Sequence, residues 1–152
     1  MMTLLQRLGA PRRRRWVIHS PPENVVWRPI RPRPDQPPVR ARRAESDCMV
    51  ETKHGGALRA RGGQDFIVDH GSGSCAVVRG DLFERLYEPM GDGRFRKRTD
   101  VIFHAFTLDR AATVHTLEGP QSAEPGDWVV EGVAGELWPV PRAEAVKKYD
   151  DA

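Results

Sequence analysis

Pro125-Gly126-Asp127-Trp128-Val129-Val130-Glu131 reads as a tight turn running into a strand, and the same texture occurs 62 residues earlier at Asp65-Phe66-Ile67-Val68-Asp69. Residues 65–88 lie on residues 127–150 without a gap. Five positions are identical: Asp65/Asp127, Val68/Val130, Gly73/Gly135, Val78/Val140 and Tyr87/Tyr149. Five more keep their chemistry: Phe66/Trp128, Ile67/Val129, Asp69/Glu131, Arg85/Lys147 and Glu88/Asp150. The matches fall at a turn, a strand, a hairpin glycine, a return strand and a terminal tyrosine. They point to internal duplication of a ~50-residue β-β-β-α unit. Each unit is small for a core of its own, so the pair is expected to pack as one body.

Working outward, apolar alternation places strands at 39–44, 48–52, 57–60, 65–69 and 75–78. A hairpin at 71–73 joins the last two. Asp81 is expected to cap a helix over 82–87. In the second half, strands fall at 95–99, 101–106, 114–117, 127–131 and 136–140. Residues 108–113 read as a helical turn or loop. A helix opens at Pro141 and runs to about Tyr149. The fold class is therefore α+β, mainly β. It is a tandem pair of units, 39–89 and 95–150, each closed by a short C-terminal helix. Trp128, Val130, Val140 and Tyr149 are expected in the core, as are Phe66, Val68, Val78 and Tyr87.

Residues 1–38 differ in texture. Eight of the 13 prolines fall in residues 1–46, with eleven Arg, no Lys and only three carboxylates. That stretch carries +8, and since the whole chain carries +3, the remainder carries −5. Proline removes backbone donors and restricts its neighbours, so an irregular, exposed arm is expected over 1–38. Two short pieces, 16–19 and 25–27, are each expected to be able to add an edge strand, though neither is long enough to fold alone. Deleting the arm is expected to leave the unfolding midpoint unchanged. A start codon downstream of part of it is an alternative.

Glu124-Pro125-Gly126-Asp127-Trp128-Val129-Val130, then Gly135-Glu136-Leu137-Trp138-Pro139-Val140, then a helix ending in Tyr149, resembles the PGDYG-type domain of bacteria and their phages. The resemblance covers 95–150. It is looser over 39–89, where Gly63-Gln64-Asp65-Phe66 replaces Pro-Gly-Asp-aromatic and Arg79 stands in place of Pro141. It implies a small phage- or prophage-related module and carries no activity with it. Each motif residue also has a structural job. Pro125-Gly126 makes a turn, Asp127 and Asp65 accept backbone donors, Gly135 and Gly73 turn hairpins, and Tyr149 and Tyr87 close helices.

Candidate chemistry is sparse. Cys48, His54, His70 and Cys75 are zinc-ligand types, but their spacing fits no paired-ligand pattern, so no metal and no cofactor is expected. Two cysteines make no disulfide framework, and the reading is of buried thiols in a cytoplasmic protein. No apolar run approaches the ~18 residues that cross a bilayer, and no membrane partner is expected. No nucleophile elbow or phosphate loop is present. Arg12, Arg13, Arg14 and Arg15 followed by Trp16 form a basic cluster with an aromatic, the pattern of a non-specific phosphate contact. The leading expectation is a binding or assembly module without catalysis, with a protein partner or self-assembly. The alternative is nucleic-acid contact through the arm.

Overall fold

The computed structural model describes residues 14–52, 56–71 and 75–152. The chain is mainly β, with 50% strand and 11% helix. In chain order the first elements are β1 (Trp16–Ile18), β2 (Arg28–Pro32), β3 (Val39–Arg43), β4 (Cys48–Glu51) and β5 (Ala57–Ala60). Then come β6 (Asp65–Asp69), β7 (Cys75–Arg79), α1 (Gly80–Leu86), β8 (Tyr87–Gly91) and β9 (Arg94–Lys97). The second half holds β10 (Phe103–Thr107), β11 (Ala112–Thr116), β12 (Gly119–Ala123), β13 (Trp128–Glu131), β14 (Leu137–Val140), α2 (Arg142–Lys148) and β15 (Tyr149–Asp151).

Two five-stranded sheets share one plan. Their orders are β7-β6-β3-β9-β8 and β14-β13-β10-β2-β15. Registers agree as well: Phe66 faces Val78 as Trp128 faces Val140, and Ala41 faces Val68 as Ala105 faces Val130. The place that β9 fills in the first sheet is filled in the second by β2, from the N-terminal arm. The second unit thus takes one of its inner strands from before the first unit.

The arm is therefore not a loose tail where it is described. β2 runs antiparallel to β10 and to β15, and β1 runs parallel to β11. Ile18, Ile30 and Pro32 are buried. Alternation explains it: Ile30 and Pro32 face inward while Pro29 and Arg31 face water. A proline inside a sheet ordinarily breaks the ladder. Here the two rungs that lose an N–H lie beyond the paired stretches. Pro29 points toward Ala152, whose N–H reaches the Pro29 carbonyl at 3.1 Å. Pro32 points to the other side, past the first residue of β10.

Each sheet buries one face under its helix. In the first unit Val68, Phe83 and Tyr87 pack with Phe66 and Phe95. In the second, Ile30, Phe103, Ala105, Val130, Val140 and Tyr149 form the equivalent core, and Leu86 of α1 packs against it. Burial pushes the Tyr87 phenol far up and the Tyr149 phenol up to about 12, the latter despite a hydrogen bond from Trp138. Trp128 is only half-buried, with the Arg28 guanidinium 4.2 Å over its ring. The opposite faces carry β-hairpins: β4–β5 covers Ile67, and β11–β12 covers Val129 and Leu137.

Three local readings differ from expectation. Residues 112–116 are a strand, because Ala112 and Val114 alternate inward into the cluster that holds Ile18. Residues 119–123 pair with it, although Glu118-Gly119-Pro120 reads from the sequence as a turn; Pro120 is tolerated because β12 is an edge. Asp81 does not cap α1; Arg79 holds the cap position and its guanidinium donates to Asp81 at 2.7 and 3.0 Å. The hairpin residues 72–74, Gly73 among them, lie outside the described residues, as does His54.

Candidate functional site

The motif carboxylates come first. In the second unit Asp127 Oδ2 accepts the Glu124 N–H at 2.9 Å and Oδ1 accepts the Arg142 N–H at 3.4 Å. In the first unit Asp65 Oδ2 accepts the Arg61 N–H at 2.8 Å, and the Arg61 guanidinium donates to both oxygens at 3.2 and 3.0 Å. Both side chains tie a turn to the strand it enters. Pro125 and Gly126 form that turn, Gly126 at φ 91°. Its counterpart is Gly63 at φ 73°, not Gln64 as the gapless alignment has it. The hydrogen bonds decide this: Gly63 N–H donates to Ala44 O at 2.7 Å, and Gly126 N–H to Leu108 O at 2.8 Å. Gln64 is one extra residue. Its carbonyl bulges toward α1 and accepts the Gly80 N–H at 2.9 Å, where a Cβ on Gly80 would lie 2.3 Å from it.

The Arg61 hydrogen bonds hold the Asp65 carboxyl below its ordinary range, against the opposing effect of burial. A lowered folded-state pKa stabilises the fold above the unfolded-state value, and that contribution is lost as pH falls through the folded-state value. Urea midpoints measured from neutral pH down to about pH 2 should therefore fall through the carboxylate range. Asp65→Asn should be less stable than wild type at neutral pH, and the gap should close as acid protonates Asp65. A gap that stays constant would show that Asp65 gives the fold nothing through its charge.

Two surface grooves flank these turns. One, about 300 Å³, is lined by Gln121, Ser122, Asp127, Pro139 and Pro141. The other, about 510 Å³, is lined by Arg43, Arg61, Arg79, Asp81 and Glu84. Its three guanidinium groups are matched by three carboxylates: Arg43–Glu84 at 3.5 Å, Arg61–Asp65 at 3.0 Å and Arg79–Asp81 at 2.7 Å. That groove is neutralised from within.

The arm cluster is divided. Arg12 and Arg13 lie outside the described residues, and Arg14 is exposed. Arg15 donates to the Ala112 carbonyl at 2.9 Å. Trp16 sits 5.8 Å from Phe106 with the Arg110 guanidinium 4.8 Å over its ring. The indole is thus engaged by two neighbours within the fold. Cys48 and Cys75 are half-buried free thiols beside Ala44, Ala60 and Ile67, an apolar setting. Among the described residues no three His, Cys, Asp or Glu side chains gather as a metal site, and no helix is long and apolar enough to cross a membrane.

The feature that sequence reading missed is the outer face of the first sheet. Arg40 stands directly opposite Arg94 across β3 and β9. Arg42 and Arg96, two residues on in each strand, share that face, and all four are exposed. Arg40 also bonds the Asp92 carbonyl at 3.2 Å, and Arg96 pairs with Glu88. Alternation in 39–43 was legible, but which strand would lie beside it was not. The corresponding places in the second sheet hold His104, Phe106, Pro29 and Arg31. No protein-family model, curated protein or solved structure matches this chain.

Proposed function

We propose that this chain is a non-catalytic binding module that takes an anionic protein partner on the outer face of its first sheet. The observation that carries the reading is Arg40 opposite Arg94, with Arg42 and Arg96 alongside. Like charges directly opposed on two strands destabilise a sheet. Asp69, in register with Arg40 on its other side, offsets part of that repulsion; a partner's negative charge adds to this, and complementary charge speeds and selects encounter. The use of Asp65 and Asp127 as turn anchors supports a role without catalysis. The phage or prophage setting rests on the resemblance of residues 124–149 to the PGDYG-type module.

Nucleic acid is the second reading, favoured by the same arginines. It loses support at Trp16, whose ring is engaged by Phe106 and Arg110 instead of standing free to stack on a base. Fluorescence anisotropy of a labelled poly-glutamate peptide and a labelled single-stranded oligonucleotide separates the two. The peptide is expected to bind, and more weakly at about 200 mM than at about 50 mM salt. The double variant Arg40→Glu/Arg94→Glu should weaken it at least ~tenfold. Preferential retention of the oligonucleotide, lost in the same variant, would give the face to nucleic acid. Equal binding by wild type and variant would take the face out of the function.

A further inference from the structure

In the second unit the hairpin edge is covered. β1 lies parallel to β11, with Trp16 beside Ala112, Val17 beside Thr113 and Ile18 beside Val114. The Trp16 N–H donates to the Ala111 carbonyl at 3.0 Å. The corresponding strand of the first unit is β4. The correspondence is fixed by shared bonds: Ala44 N–H reaches Asp65 O at 2.8 Å, and Leu108 N–H reaches Asp127 O at 2.8 Å. Cys48 and Ala112 each follow four residues later and open the hairpin strand. Cys48, Met49 and Val50 therefore stand where Ala112, Thr113 and Val114 do.

Among the described residues nothing pairs with the outer side of β4. The Thr52 N–H donates to Gly56 O, toward β5. Backbone groups alternate in direction along an antiparallel strand, so those of Met49 point to the open side. Met49 is 66% exposed, and Val50 is half-buried where its counterpart Val114, beside Ile18, is fully buried. One residue differs in kind. In the second unit Trp16 and Trp27 pack on Phe106. The same place in the first unit is held by Arg42, which is exposed and makes no hydrogen bond or ion pair among the described residues.

We propose that the outer edge of β4 takes an extended segment of a partner protein, added parallel as β1 adds to β11. Its carboxylate side chain lies over Arg42, and an apolar side chain two residues on packs beside Val50. The proposal rests on the reading of the arginine face as an anionic-partner surface and adds where and how the partner lies. Main-chain bonds to an open edge give such a complex its affinity, and every second side chain gives its specificity. Arg42 replaces Phe106, so an acid replaces the tryptophan. Val50 keeps the character of Val114, so the apolar residue stays. Arg40 beside Arg42 adds to the preference for an acidic segment.

The test uses the full chain and a labelled, capped peptide, Thr-Glu-Thr-Val-Thr, read by anisotropy. Comparison peptides carry Lys for Glu, or methylated backbone nitrogens. The Glu peptide is expected to bind at least ~tenfold more tightly than the Lys peptide, a difference of ~1.4 kcal/mol. Arg42→Glu should reverse that order. Met49→Pro removes a donor only from the open side, and it should abolish binding while leaving circular dichroism and the thermal midpoint near wild type. The methylated peptide should also fail to bind, which decides the matter even where Met49→Pro unfolds. Absence of binding by the Glu peptide overturns the proposal. So does undiminished binding of the methylated peptide; weakening by Arg42→Glu in that case would leave the arginine-face reading standing without edge pairing. Failure of poly-glutamate as well would remove both.

Discussion

A chain lacking residues 1–38 is expected to lose the second unit's cooperative unfolding transition, not merely to shed a tail. The deletion removes β2 from between β10 and β15, and removes β1 from β11. It takes Ile18 and Ile30 out of two buried clusters, and the buried Pro32 goes with them. Phe106 loses both Trp16 and Trp27, the latter edge-on at 4.9 Å. Truncating Ile30 alone to alanine should cost ~2–5 kcal/mol, the usual range for a buried aliphatic side chain. Small domains have only ~5–15 kcal/mol in all, so the full deletion exceeds what the second unit can lose. Circular dichroism and tryptophan fluorescence during urea unfolding read this directly. A midpoint equal to wild type after the deletion would refute the strand exchange.

Phe83→Ala should be the most damaging single truncation in the first unit. Phe83 is 1% exposed. Its ring stacks on Phe66 at 4.0 Å and on Tyr87 at 4.7 Å, and meets Phe95 edge-on at 4.9 Å. It joins α1 to strands β6, β8 and β9 at once. Aromatic-to-alanine changes at such sites cost ~3–5 kcal/mol, since contacts and packing volume go together. Trp128→Ala should cost less, because Trp128 is half-buried and part of its ring lies under Arg28. Thermal midpoints of the two variants give the ranking, and the reverse order would place the larger core under Trp128.

Local chemistry settled what recurs along the chain. The Asp-aromatic-Val texture, Gly126 before Asp127 and the tyrosine after each helix are written in consecutive residues. They place β6, β7 and α1 over β13, β14 and α2 with matching registers. The jobs of Asp65 and Asp127 were legible for the same reason, since a turn carboxylate binds donors three or four residues away. Partners distant in sequence were not legible. Arg28–Pro32 carries prolines that argue against an inner strand, yet it becomes one because those prolines face rungs beyond the paired stretches. The gapless match also hid the extra residue Gln64, which is seen only when Gly63 and Gly126 bond equivalent carbonyls. The arginine face arises in the same way: alternation sets Arg40, Arg42, Arg94 and Arg96 outward on their own strands, but only the pairing of β3 with β9 brings them onto one surface. Periodicity fixes which way a side chain points, whereas the neighbour of a strand is decided by burial summed over the whole sheet.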